Sequence, residues 1–134
     1  MAPVMNSSWR RTLSNQDPLK EHRMQISNRD TNGVVVVCPV GSIDATTAAE
    51  LSSHIDRLVS SGNTRLVADL AGVDYTSSAG LRVLLGAAKA TRAKAGDIRL
   101  AAVRADVLKV LSLSGFTSIL QLFDDVDAAV ASFA

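Results

Sequence analysis

The sequence predicts a single α/β domain, a mixed sheet of about five strands with about four helices, in the order ββαβαβαβα. Three observations carry that prediction. The chain has 134 residues, the length of one domain and too short for two separate cores. Asn32-Gly33 lies between two stretches of strand character and is a strong two-residue hairpin signal. Beyond it, helical and strand periods alternate with regular punctuation, the pattern of parallel strands joined by helices.

Each element has its own warrant. Residues 1–23 hold Asn6-Ser7-Ser8, Arg10-Arg11, Ser14-Asn15-Gln16 and Pro18 without a sustained apolar period, and read as a flexible N-terminal tail. The domain is placed at 24–134. Met24 and Ile26 alternate with Gln25 and Ser27, which suits a short strand. Val34 to Val40 pairs back as the second strand, with Pro39 marking an edge position or a bulge. Asp44 to Thr47 offers helix caps, and Ala48, Leu51, Ile55, Leu58 and Val59 follow at helical spacing. Leu66 to Leu70 is a short buried strand, and residues 71–76 read as a loop.

A second helix starts at Ser77-Ser78, with Leu81, Leu84, Leu85 and Ala88 as its apolar face. Ile98 to Val103 is a strand, and Asp106 to Ser114 a helix stopped by Gly115. Leu120 to Phe123 is a last strand. Asp124-Asp125 caps a final helix whose inner residues are Val126, Ala129, Val130 and Phe133.

Composition narrows the function. Apolar residues make up 47%, charged residues 20%, and the net charge is +1. A nearly neutral chain has no global electrostatic reason to hold nucleic acid or an anionic membrane. Aromatics at 4% leave no stacking platform for single strands. The single cysteine, Cys38, excludes an internal disulfide framework and a multi-cysteine metal site. His22 and His54 are far apart, so no metal or cofactor is expected. No apolar run spans a membrane and no leader opens the chain, so a soluble, cytoplasmic protein is expected.

Catalytic motifs are missing too. Neither G-x-G-x-x-G nor G-x-x-x-x-G-K-[ST] occurs, and G-x-S-x-G is not met. His54 fits a helix boundary. Cys38, in the most β-branched run and with no cationic neighbour in sequence, fits a buried inert thiol. No enzyme is visible.

The junction Val73-Asp74-Tyr75-Thr76-Ser77-Ser78-Ala79-Gly80-Leu81 stands out. Three hydroxyls run into a strongly amphipathic helix. One reading is capping, with Ser77 or Ser78 accepting a first-turn N–H; the other is regulation at an exposed serine. Gly80 is poor for a first turn and suggests close approach by another backbone or a partner. Arg82, Gly86 and Lys89 lie off the leucine face, with Arg92 and Lys94 beyond, and no acid occurs between Tyr75 and Gly96. That stripe reads as a solvated face or as a docking surface.

From about Met24 to the C-terminus the chain resembles a STAS domain of the anti-sigma factor antagonist family. The resemblance rests on Gly41-Ser42-Ile43-Asp44, on Leu66–Leu70 leading into Tyr75-Thr76-Ser77-Ser78-Ala79-Gly80-Leu81, and on Leu113-Ser114-Gly115-Phe116 before Leu120-Gln121-Leu122-Phe123. It implies a STAS-like fold and a binding protein that frees a sigma factor when unphosphorylated, by engaging an anti-sigma factor with serine kinase activity. A serine phosphatase would reset it. The resemblance places the phosphorylated serine at Ser78, with Ser77 as the alternative acceptor, because Ser77 and Ala79 depart from the family's familiar flanking residues. Asp44 matches the family's acidic residue beside that site, and it also fits a helix cap. The implied partner surface comprises Asp44, Thr76, Ser77, Ser78, Gly80, Arg82, Gly86 and Lys89. A STAS subunit of a transport or lipid-trafficking complex, or a small-ligand or nucleotide-binding module, is the alternative.

Overall fold

Asn32 and Gly33 both take positive φ, 54° and 79°, which is what a tight hairpin between right-twisted strands requires. In the computed structural model, which describes residues 24–134, they join β1 (Gln25–Thr31) to β2 (Val34–Ile43). Thr31 pairs with Val34 and Gln25 with Val40. Residues 1–23, and with them the expectation of a flexible tail, lie outside the described residues.

The remaining elements are α1 (Ala45–Ser60), β3 (Arg65–Asp69), β4 (Val73–Thr76), α2 (Ser78–Arg92), β5 (Asp97–Ala101), α3 (Ala105–Leu113), a 3-10 turn (Phe116–Ser118), β6 (Leu122–Phe123) and α4 (Val126–Ala131). The sheet order is β1-β2-β3-β5-β6, with β4 beside β2. Only the hairpin is antiparallel; the other pairs are parallel. The architecture is the mixed α/β domain expected, with one strand more.

That strand is β4, in the stretch read as a loop. Val73 and Thr76 are buried while Asp74 and Tyr75 between them are exposed, so the alternation that marks a strand is absent. Its warrant is long-range. β2 runs to Ile43 because it takes two parallel partners in succession, Leu66–Ala68 opposite Val35–Val37 and then β4 opposite Gly41–Ile43. Pro39 is buried in this central strand, opposite Ile26. Its missing N–H falls between the two parallel pairings, and the irregularity lies at Gly41/Ser42.

The valines of β2 point alternately to two cores, as a central strand's must. Val35 and Val37 face the larger one, with Leu66, Ile98 and Leu100 of the sheet, Leu51 and Ile55 of α1, and Leu81 and Leu84 of α2. Val34 and Val36 face the smaller one, with Val67, Ala101 and the residues expected inside the last helix: Ala129 and Val130 are buried, while Val126 and Phe133, which lies just beyond the end of α4, are partly so. Each fully buried Val or Leu contributes about 1.5–3 kcal/mol. On α2 one residue differs from the expected face: Leu85 is only half-buried, and Ala87 is buried instead.

Cys38 also departs from expectation. It is half-buried, and Arg29, brought opposite by the hairpin, donates to its Sγ at 3.5 Å. The cationic neighbour that the sequence order hides is therefore present. Burial and the Asp69 carboxylate nevertheless push the thiol above its usual range.

Candidate functional site

Two parallel strands end together and start two helices. Ile43 of β2 pairs with Thr76 of β4, and the Ser77 N–H donates to the Ile43 carbonyl at 2.8 Å. The next residues, Asp44 and Ser77, are the N-caps of α1 and α2. Local sequence determines each start differently. Asp44 Oδ1 accepts the N–H groups of Thr46 and Thr47, both at 2.9 Å. The Thr47 hydroxyl accepts from the Asp44 N–H at 2.8 Å and donates to the Ser42 carbonyl at 2.7 Å. This is a reciprocal capping box. Ser42 in turn donates from its hydroxyl to Asp74 at 2.8 Å.

At α2 the expected side-chain cap is not made. Ser77 occupies the N-cap with extended backbone, but its hydroxyl caps nothing. The Ser77 oxygen is buried and without a hydrogen-bond partner. Ser78, the first residue of the helix, is exposed. Of the two candidate acceptors, one hydroxyl is thus enclosed and the other stands at the surface.

Gly80 and Thr76 lie beneath the site and not on it. Thr76 is 4% exposed and Gly80 is buried. A Cβ at Gly80 would overlap the Thr76 hydroxyl and come within 2.6 Å of Ile43 Cγ2. The close approach anticipated from the glycine is therefore made by side chains of the protein's own strands. Of the residues expected on the partner surface, these two are therefore buried in the free protein.

Arg82, Gly86 and Lys89 are exposed, as expected of an outward stripe. The positive charges beyond them are engaged elsewhere. Arg92 pairs with Asp97 at 2.9 Å and donates to the Ile119 carbonyl at 2.8 Å. Lys94 reaches the Val59 carbonyl at 3.5 Å. The stripe is therefore shorter than the sequence suggests and centres on Arg82 and Lys89.

Two features near the site escape a linear reading. Tyr75, 53% exposed on β4, puts an aromatic ring at the surface beside Asp74. A groove of about 280 Å³ runs between α1 and α2, lined by Ser52, Asp56, Arg82, Val83 and Gly86 among others. An exposed glycine inside a helix was the only local signal for it. His54, on α1, contacts the Asn28 side chain on β1, and burial, with Arg57 adding, lowers its pKa. Among the described residues no cluster of His, Cys, Asp and Glu is placed to hold a metal. No helix among them is long and apolar enough to cross a membrane.

The fold is thus a mixed α/β domain with an exposed hydroxyl-bearing residue, Ser78, at the start of α2. The chain belongs to the STAS domain family, whose profile matches residues 25–129. It is 34% identical over 110 residues to the anti-sigma factor antagonist BtrV of Bordetella bronchiseptica, covering 82% of this chain and 95% of that protein. An anti-sigma factor antagonist of Mycobacterium paratuberculosis superposes with a TM-score of 0.71 at 27% identity, over 81% of this chain and 92% of that one. One from Thermotoga maritima reaches a TM-score of 0.76 at 20% identity, over 80% and 92% of the two chains.

Proposed function

We propose that this protein is an anti-sigma factor antagonist that works by partner switching in the cytoplasm. Unmodified, it binds an anti-sigma factor with serine kinase activity, and the sigma factor is released. The kinase then moves a phosphoryl group from ATP to the Ser78 oxygen; the hydroxyl proton leaves and ADP departs. A serine phosphatase restores the binding form by hydrolysis. The protein contributes a surface and an acceptor hydroxyl, with no catalysis of its own.

The observation that carries this reading is the exposure of Ser78 at the first position of α2 while Ser77 is enclosed. A kinase can reach Ser78 without unfolding the domain. A seryl phosphate adds a charge of about −1.5 to −2 at neutral pH. The helix N-terminus tolerates that charge, so the fold need not change. A partner docked over the same helix start, with Asp44 and Asp74 nearby, would face a desolvated dianion and dissociate.

The test is capture of partners by the unmodified protein, then incubation with the captured kinase and ATP and location of the phosphate by mass spectrometry. Recovery of a kinase-like anti-sigma factor and phosphate on Ser78 support the reading. Phosphate on Ser77 moves the site by one residue. Phosphate on neither serine, or capture of a transporter assembly instead, overturns it.

A further inference from the structure

α2 contains two glycines, and the fold explains only one of them. A Cβ at Gly80 would collide with Thr76 and Ile43, so the protein's own packing requires that residue. Gly86 lies in the middle of the same helix, where glycine is the poorest choice short of proline. It is exposed, and a Cβ there would meet nothing within 4 Å. The chain has eight glycines. Four take positive φ, and at Gly72, Gly80 and Gly96 a Cβ would come within 3.0 Å of a neighbour. Gly86 is the one with neither reason. It lies instead on the groove of about 280 Å³ between α1 and α2, where its missing side chain leaves the space open.

We propose that this groove receives an apolar side chain of the anti-sigma factor, flanked on that partner by a base and an acid. The inference rests on the reading of this protein as an anti-sigma factor antagonist. Ile55, Val83 and Ala87 supply the apolar lining, and the charged walls state the rest of the partner's chemistry. Asp56 stands on α1 and Arg82 on α2, both exposed. Among the described residues neither makes an ion pair. A surface that brings a basic group to Asp56 and an acidic group to Arg82 is matched at both walls. The reversed arrangement meets like charge twice, so the two walls together set the direction of docking. Asp56 thereby joins the partner surface, to which the outward stripe of α2 contributes only one wall. In the free protein Gly86 weakens its helix; in the complex it admits the partner's side chain.

The experiment measures thermal unfolding and binding on the same variants of the full chain, with the purified anti-sigma factor as probe. Gly86→Ala should raise the melting temperature by about 3 °C, because alanine is the better helix former. The same variant should bind about tenfold more weakly, because its methyl takes up space the partner needs. A glycine that merely fits the fold would not move stability and affinity in opposite directions. Gly86→Leu should still fold, since the space is open in the free protein, and should bind more weakly again. Asp56→Lys should lower affinity by about tenfold with little change in melting temperature. Ser53→Ala, on α1 but outside the groove, is the control and should leave affinity unchanged. Parent-like affinity in both Gly86 variants, or in Asp56→Lys, would overturn the proposal and leave the switch at Ser78 standing. A parent that binds no anti-sigma factor would overturn both readings.

Discussion

The Ser77 N–H and the Ile43 carbonyl, 2.8 Å apart, hold the ends of two parallel strands level. Everything at the site follows from that bond. It places the starts of α1 and α2 side by side, so the positive ends of two helix dipoles converge on one patch. Asp44 caps one of them, and the other has no side-chain cap.

Ser78 is expected to separate stability from binding. Its alanine variant gives up no side-chain cap, since none is made, and should lose well under 1 kcal/mol of stability. It should bind the anti-sigma factor like the parent and escape phosphorylation. Ser78→Asp should fold normally, because a carboxylate suits a helix N-terminus, yet bind at least tenfold more weakly, or about 1.4 kcal/mol. Titration calorimetry with the purified anti-sigma factor checks both.

Arg82 and Lys89 are expected to steer association. Reversing both to Glu should slow the on-rate by about tenfold at low salt and leave the off-rate less affected, with the difference shrinking as salt rises. Stopped-flow measurements at two ionic strengths decide it. Rates unchanged at both would move the docking face off α2.

Gly80→Ala tests the packing beneath the site. Alanine is the better helix former by about 1 kcal/mol, but its methyl would collide with Thr76 and Ile43. Overpacking costs about 1–3 kcal/mol and should win, because the collision falls on enclosed groups. Urea unfolding should show a net loss of stability. A gain would mean that the strand ends yield easily.

Asp44 has a structural duty that must be separated from any contact with a partner. Asp44→Ala removes the reciprocal cap of α1 and should cost about 1 kcal/mol. Asp44→Asn keeps a capping oxygen without the charge and should recover most of that stability. If Asp44→Asn nevertheless binds the anti-sigma factor differently from the parent, the carboxylate's charge acts in binding.

His54 predicts a direction for acid sensitivity. Burial, with Arg57 adding, lowers its pKa in the folded state from 6.5, so the unfolded chain binds more protons as pH falls through that value. Stability must therefore decrease on acidification through pH 6.5, and the loss levels off once the folded form also protonates. His54→Gln should flatten that part of the stability–pH curve while leaving the carboxylate-dependent decline at lower pH. A curve identical to the parent's would show that His54 titrates alike in both states.

Much of this protein could be read along the chain because its signals are local. Asn32-Gly33 demands a left-handed turn whatever surrounds it. Asp44 with Thr47 writes a helix start into four consecutive residues, and the spacing of Leu81, Leu84 and Ala88 defines a buried helix face by geometry alone. The order and spacing of the quoted motifs were enough to name the family. What the chain could not display are relations between residues far apart in it. β4 exists only because β2 is long enough to take a second partner, and the pattern of Val73 to Thr76 has no alternation to announce it. Arg29 meets Cys38 only across the hairpin, and Arg92 is drawn off the outward stripe by Asp97. The two serines look equivalent in sequence. Only the assembled fold encloses the hydroxyl of one and leaves the other residue exposed, since burial is a property of the assembled neighbours and not of the residue.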